Sequence, residues 1–349
     1  MGAKSFFSRL AFALAFAPAL ASCAGAPSIV WPGAEQPEWV RNFSGYRASR
    51  PAYLLASGQG ESRQAAEADA LRLLIMEFGV DVQVDSRLAE SYREMISGGA
   101  AATWEDVTFD RTIVLEAGID NLMGVEIGDF WTDGRGSHHA LAVMDRARAI
   151  RLYTEMLRAN QEIIENLVDI PAERRNTLDG FSRHQAAAVI ADVNLSYGAV
   201  LSVLGAPQPG LARGDDLRRA AREIAAQTPI AVNVRGDRAG RIQGAFARAF
   251  AELGFRTGGA SPRYALEVEA IVLPTDHSGA NVFARMELAA NLVEIESGAV
   301  LLPFNFALRE GHRTQSEAEN RVFIVAEQRI DGEYRDLLAS YLSQLVPRR

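Results

Sequence analysis

The fold is decided by the sequence YLLASGQGES at residues 53–62 and by RQAAEADALRLLIMEFG, which follows it at residues 63–79. The apolar run Tyr53–Ser57 is typical of a buried strand. Ser62 is a suitable N-cap for a helix, and Gly79 is a suitable residue just beyond its C-terminus. Apolar residues fall at helical spacing between them, at Ala68, Leu71, Leu74, Ile75 and Phe78. We therefore predict a strand followed at once by a helix, whose many alanines let it lie close against a sheet.

The chain after this helix alternates between apolar and polar residues, which is the period of a strand buried on one face. The alternating segments lie at Val80–Val84, Val107–Leu115, Val125–Ile127 and Ala140–Met144. A glycine-rich turn at Thr132–Gly136 separates the last two. The pattern predicts an antiparallel meander that completes a first domain at residues 37–145.

Helical periodicity replaces the alternation at Asp145, which is a suitable N-cap for a long helix. A second long helix is predicted from Leu178 to Leu204. Asp215 and Asp216 open a short third helix, where their charges favour its positive end. Residues 146–228 are therefore predicted to form a helical connector.

The last part of the chain repeats the order of the first. We predict a strand at Ile230–Val234, a helix ended by Gly254, two alternating segments at Tyr264–Val272 and Val282–Leu288, and a hairpin turn at Glu296–Ala299. Thr314 and Glu317 match a capping box before the terminal helices. Residues 229–349 are thus predicted to form a second small α/β domain. The predicted fold class is α+β, with two strand–helix–antiparallel sheet–helix domains joined by the helical connector.

The first residues have the features of a targeting signal. Lys4 and Arg9 precede an apolar run, Leu10–Leu20, that is too short to span a bilayer. The run ends in Leu20-Ala21-Ser22-Cys23, which resembles the bacterial lipoprotein signal. That resemblance implies a signal peptide at residues 1–22, cleavage before Cys23, and acylation of Cys23, with palmitate among the acyl groups. Residues 23–36 then form a lipidated tether, and Ala24 after the cysteine implies the periplasmic face of the outer membrane.

Composition excludes several classes of protein. The 349 residues carry 36 basic and 44 acidic side chains, and removal of Lys4 and Arg9 would take the net charge from −8 to −10. Nucleic-acid binding requires a basic surface, so we expect no nucleic-acid partner. Cys23 is the only cysteine, which excludes an internal disulfide.

The motifs Pro37-Glu38-Trp39-Val40 and Tyr53–Ser62, with the alanine-rich helix after them, resemble the LPP20 family of bacterial lipoproteins. The resemblance covers about Pro37 to Met144 and implies an envelope protein without an assigned reaction. The same strand and helix also resemble, more weakly, the N-terminal part of flagellar assembly protein T.

Several residues suggest chemistry that their surroundings do not support. Gly58-Gln59-Gly60 lies where a dinucleotide-binding loop would lie, but Arg63 stands in place of the third glycine, so a tight turn into the helix is favoured. His138 and His139 are neighbours on a predicted strand and would point to opposite faces. The remaining histidines, His184, His277 and His312, lie in separate elements, so we predict neither a metal site nor a cofactor.

The other candidates have structural explanations. Glu294 and Glu296 share one face of a predicted strand, as a carboxylate pair for glycan hydrolysis would, although they flank a hairpin turn. The mixed charges of a short helix favour an exposed, salt-bridged face at Arg218, Arg219, Arg222 and Glu223. Core or domain-edge positions are favoured for the tryptophans, at Trp31, Trp39, Trp104 and Trp131.

These observations predict a non-enzymatic envelope lipoprotein, anchored in the bilayer through Cys23, that binds other envelope proteins. Exposed sheet edges and the faces of alanine-rich helices are the expected contact sites. Two alternatives remain open. The first is a structural component of a flagellar or cell-wall-associated machine, and the second is a glycan-acting enzyme.

Overall fold

The computed structural model describes residues 35–78, 122–278 and 281–347. Helices and strands alternate through the described ranges in two groups separated by long helices. In chain order the elements are α1 (Glu38–Arg41), α2 (Phe43–Ala48), β1 (Tyr53–Gly60), α3 (Arg63–Met76), β2 (Val125–Thr132), β3 (His138–Asp145), α4 (Arg146–Val168), α5 (Ala172–Arg175), α6 (Leu178–Val203), α7 (Gly214–Ala226), β4 (Ile230–Arg235), α8 (Arg241–Glu252), β5 (Tyr264–Ser278), β6 (Asn281–Glu294), β7 (Val300–His312), α9 (Gln315–Arg329), a π-helical turn (Ile330–Tyr334) and α10 (Arg335–Gln344).

Some predictions lie outside the described residues. They are the signal peptide, Cys23 and most of the tether, the strands predicted at Val80–Val84 and Val107–Leu115, and Trp31 and Trp104.

The first sheet has three described strands in the order β1-β3-β2, all antiparallel. β1 and β3 pair without interruption from Tyr53 opposite Asp145 to Gly60 opposite His138. Between β2 and β3 the register shifts at Gly128, which is a bulge in the outer strand. The predicted hairpin of β2 and β3 is confirmed.

Helices cover both faces of this sheet. On one face, α3 buries Leu71 and Leu74 against Leu54. On the other, Trp39 of α1 packs on Leu55 and Leu141. Ser62 caps α3 as predicted, because its hydroxyl accepts the N–H of Ala65. The predicted stripe of α3 was wrong in one position, since Ala68 is exposed while Ala66 and Ala70 are buried.

The central helices join the two groups of strands. Asp145 caps α4 as predicted, accepting the N–H of Arg148. The C-terminal end of α6 contributes Val200 and Leu201 to the core of the first sheet. Its N-terminal end contributes Leu178 and Phe181 to the core of the second. The predicted connector therefore forms part of both cores.

α6 is also the one described helix that is long and apolar enough to cross a membrane by length and composition. More than half of its most apolar window is buried within the protein, as in a core helix.

The second sheet has the strand order β4-β5-β6-β7. β4 and β5 are parallel, and α8 crosses between them, whereas β5, β6 and β7 are antiparallel. The prediction of an antiparallel sheet thus holds for three of the four strands. β6 contains the predicted segment Val282–Leu288 and continues to Glu294, just before the predicted turn at Glu296–Ala299.

Helices α8, α9 and α10 bury one face of the second sheet, which we call the inner face. Its core includes Phe246 of α8, Met286 of β6 and Val322 of α9. Thr314 caps α9 as predicted, since its hydroxyl accepts the N–H of Glu317. A π-helical turn separates α9 from α10 and places Tyr334 in the core. The mixture of helices with two sheets confirms the α+β class.

Candidate interaction surface

The opposite face of the second sheet, which we call the outer face, presents alternate side chains of all four strands to solvent. The pleat that places Leu266, Val268 and Ala270 in the core turns Glu267, Glu269 and Ile271 outward. The exposed residues of the outer face are Asn233, Arg235, Glu267, Glu269, Ile271, Leu273, Arg285, Glu287, Ala289, Pro303, Asn305, Ala307 and Arg309.

Polar and apolar groups occupy different parts of the outer face. Near β4, the Asn233 side-chain amide donates to Glu267 at 2.7 Å. Farther along the strands, Ile271 and Leu273 are each 44% exposed. Neighbouring exposed aliphatic side chains rimmed by polar groups are a feature of protein contact surfaces.

Cationic side chains border the aliphatic part of the outer face. Arg285 and Glu287 form an ion pair at 2.8 Å. The Arg309 guanidinium lies 4.2 Å from the centre of the Phe283 ring. Gly311 makes room for this ring, because a Cβ there would lie 2.6 Å from Phe283. These contacts fix the positions of the arginines while leaving them accessible.

Gly58 and Gly60 allow α3 to lie unusually close to β1. A Cβ at Gly58 would lie 2.0 Å from the Ala70 backbone nitrogen, and one at Gly60 would lie 2.6 Å from the Ala66 nitrogen. The intervening Gln59 N–H donates to the Asp69 carboxylate at 3.1 Å. The GQG motif is therefore a helix-packing seam, with its glycines at the end of the strand. The buried alanines of α3 are correspondingly unavailable as a contact face.

The adjacent histidines make different contacts. His138 Nδ1 lies 2.9 Å from the Thr132 hydroxyl, and its ring stacks on Phe130. His139 packs against Trp131. The described residues contain no group of three or more metal-ligating side chains.

Glu294 and Glu296 do not form a carboxylate pair on one strand. β6 ends at Glu294, and Glu296 lies in the turn that follows the strand. The Ser297 hydroxyl donates to Glu294 at 2.8 Å, and Arg263 Nη2 donates to it at 3.0 Å. Both interactions hold the pKa of Glu294 below its ordinary value. This carboxylate closes the hairpin and anchors the start of β5.

The other candidates are part of the scaffold. Arg218 pairs with Asp192 of α6, and Arg219 pairs with Asp216, as expected for a salt-bridged face. Trp39 is buried, and its Nε1–H donates to Asp129 at 2.7 Å. His184 is buried too, with Nδ1 2.9 Å from the Gly180 carbonyl.

The outer face was not singled out from the sequence, although a signal for it was present. The alternation that predicts the buried side of β5 assigns Glu267, Glu269, Ile271 and Leu273 to the opposite side. Two aliphatic residues in that exposed set are the available indication.

The first sheet and its helices match a known protein family. Residues 37–145 match the LPP20 lipoprotein family. The match confirms the resemblance predicted from Pro37–Val40 and Tyr53–Ser62. It supports an envelope lipoprotein in which the LPP20 region carries β1 to β3. No curated protein matches the chain in sequence.

Several solved structures are similar to parts of this chain at low identity. The secreted protein HP1454 of Helicobacter pylori is 13% identical, with 80% of this chain and 97% of that chain covered and a TM-score of 0.41. The minor lipoprotein of Acinetobacter baumannii is 12% identical, with coverages of 35% and 98% and a TM-score of 0.25. Lipoprotein GNA1162 of Neisseria meningitidis is 14% identical, with coverages of 29% and 96% and a TM-score of 0.20. These likenesses are too partial to bear on function.

Proposed function

We propose that this protein is a non-enzymatic envelope lipoprotein that binds other envelope proteins through the outer face of its second sheet. The observation that carries the proposal is the contrast between the two faces of that sheet. Leu266, Met286 and Leu288 on the inner face are almost fully buried under helices. Ile271 and Leu273 on the outer face remain open to solvent. Burial of such aliphatic side chains is a favourable contribution to protein association.

Lipidation of Cys23 would hold this surface at a membrane. The proposed anchor follows from Leu20-Ala21-Ser22-Cys23 after a short apolar run, and the LPP20 match supports it. Each buried methylene of an acyl chain contributes about 0.8 kcal/mol, so several palmitoyl-length chains give stable anchoring. We place the protein on the periplasmic face of the outer membrane because Ala24 follows the cysteine.

Site-specific photocrosslinking in intact cells tests the protein-binding role. A photoreactive residue at Ala289, on the outer face, should crosslink to a discrete envelope protein. The same group at Arg158, an exposed position on α4, is the control and should not. Leu273→Glu should reduce the yield at Ala289, because it places a charge in the contact.

The outcomes are distinct. Equal crosslinking from Ala289 and Arg158 would contradict the proposed surface. A partner from a flagellar basal body would favour the alternative of a flagellar component. Loss of a glycan-cleaving activity in Glu294→Gln would overturn the non-enzymatic assignment.

Mass spectrometry tests the anchor directly. The mature N-terminal peptide should begin at Cys23 and carry acyl chains, and Cys23→Ala should release the chain from membranes. An unmodified thiol would contradict the anchor.

A further inference from the structure

We infer that two copies of this chain pair through β7, so that their second sheets form one continuous sheet across a twofold axis at Ala307. The inference rests on the proposed protein-binding function and deepens it by naming a second copy as a partner. It rests on the strand edges, the direction of the β7 backbone groups, and the side chains that the pairing would bring together.

Most of the other described strand edges have features that prevent pairing with a further strand. On β1, the Gln59 N–H is bound by Asp69. β2 carries the bulge at Gly128. On β4, the backbone of Ile230 bonds to Arg256 and Gly258. Bulges and added contacts of this kind prevent edge-to-edge pairing.

Part of β5 also extends beyond β4. β4 pairs with β5 only from Tyr264 to Glu269, so the later residues of β5 have no described neighbour on that side. Pro274 lies in this stretch, and proline lacks the N–H that a further strand would need. Within the described part of the chain, β7 pairs on one side alone, with β6.

The direction of the β7 backbone groups follows from the strand register. A Cβ at Gly236, just after β4, would lie 1.9 Å from the Ala270 carbonyl oxygen. The backbone N–H and C=O of Ala270 are therefore directed toward β4. The backbone groups of every other residue are directed the opposite way. Those of Glu267 are therefore directed toward β6, where Glu267 pairs with Asn291. Asn291 is also opposite Pro303 of β7. Because the backbone groups of Asn291 are directed to β5, those of Pro303 are directed away from β6.

The same alternation directs the backbone groups of Asn305, Ala307, Arg309 and Gly311 to the free edge. The register of β7 shifts at Leu301 and Pro303 contributes no N–H, so both features block the start of the strand and the available stretch begins at Asn305. This stretch is long enough for a two-stranded antiparallel ladder of the usual strand length.

Side-chain pairing selects the register of the two copies. With the axis at Ala307, Asn305 of one copy lies opposite Arg309 of the other on the outer face. On the inner face, Phe306 lies opposite Leu308, and both are only partly buried in the single chain. The axis at Ala307 also places Phe304 opposite Glu310, but Phe304 is already buried in the single chain. Moving the axis to Leu308 would instead place the partly buried Phe306 opposite Glu310, and moving it to Arg309 would oppose two arginines. Like charges directly opposite each other destabilise a sheet.

A single engineered cysteine tests the pairing in membranes of cells that make the full chain. Ala307→Cys places two thiols opposite each other on strands whose paired Cα atoms would be about 5.5 Å apart, which suits a disulfide. Oxidation should then give a disulfide-linked dimer. Ala289→Cys is the control, because Ala289 is exposed on the same outer face but belongs to β6, away from the edge. We expect at least about tenfold more dimer from position 307, since a disulfide requires this close approach.

Two further experiments test the register of the pairing and the role of the backbone hydrogen bonds. Co-expressed Asn305→Cys and Arg309→Cys chains should crosslink to each other more than either does to itself. Ala307→Pro removes an N–H that is directed away from β6, so it should abolish crosslinking between those two positions without removing a bond within the chain.

An Ala307→Cys chain whose new thiol reacts with maleimide, but which stays monomeric under oxidant, would overturn the pairing. Equal dimer yields from positions 307 and 289 would do the same. Either result leaves the proposed binding of other envelope proteins intact, because photocrosslinking from Ala289 tests that role separately.

Discussion

At the scale of single residues, Gly58 of β1 is the glycine in the described part of the LPP20 region with the least room for a side chain, because the backbone of α3 lies against it. Gly58→Ala would place a methyl group 2.0 Å from the Ala70 backbone nitrogen, and backbone cannot move aside as a side chain can. We expect a loss of about 3 kcal/mol in the free energy of unfolding, as for severe overpacking. Denaturant titration measures the loss. Gly134→Ala is the matched control and should be nearly neutral, because nothing lies within 4 Å of its Cβ.

Two buried tyrosines should respond in opposite ways to loss of their hydroxyl group. The Tyr334 hydroxyl is buried without a hydrogen-bond partner among the described residues, and burial raises its pKa. Tyr334→Phe should therefore leave the free energy of unfolding unchanged or raise it by up to about 1 kcal/mol. The Tyr153 hydroxyl accepts the Met123 N–H at 2.8 Å. Tyr153→Phe should cost about 1–2 kcal/mol, because it leaves that N–H unpaired. Equal effects in thermal unfolding would contradict this assignment.

At the scale of elements, the carboxylate at the end of β6 makes stability depend on pH. The folded-state pKa of Glu294 lies below its ordinary value of 4.5 because of Ser297 and Arg263. Its contribution is therefore fully present above the pKa of the unfolded chain and is lost as the pH falls through the folded-state pKa. Glu294→Gln should flatten the decline of stability in acid, by less than about 1 kcal/mol since the pair is near the surface. Unfolding titrations across that pH range, with Glu296→Gln as the control, measure the difference.

The elements also show which structural information is local in the sequence. Ser62, Asp145 and Thr314 were predicted as caps, and each binds the backbone three residues ahead, so a few neighbouring residues suffice. Strand pairing is not local in this sense. The parallel contact of β4 with β5 depends on how α8 packs, and apolar alternation is the same in parallel and antiparallel strands.

The candidate surface was only partly predictable for the same reason. The alternation of β5 separates Ile271 from the core, but which exposed face remains uncovered depends on where the helices pack. Similarly, the glycines at Gly58 and Gly60 suggest a turn by composition. Their packing role follows from the position of α3, which no pattern in the sequence specifies.

At the scale of the whole molecule, α6 ties the LPP20 region to the second sheet. Leu201 is buried in the core of the first sheet and Leu178 in that of the second. Leu201→Ala should cost about 2–5 kcal/mol, as should Leu178→Ala. Because one helix belongs to both cores, each variant should speed amide hydrogen exchange in β3 and in β5 alike. Faster exchange confined to the nearer sheet would show that the two parts unfold separately.

The π-helical turn at Ile330–Tyr334 gives the C-terminal helices a tolerance of chain length that composition alone would not reveal. Its wider turn absorbs one additional residue, so that α10 keeps the rotational phase that brings Leu338 and Leu342 beneath the sheet. Deletion of Gly332, whose surroundings are open, would restore ordinary helical winding with little rotation of α10, whereas deletion of a residue at the start of α10 would turn everything beyond it by about 100°. A single codon lost at the spacious position would thus pass nearly unnoticed, while one lost a few residues later would unseat two leucines.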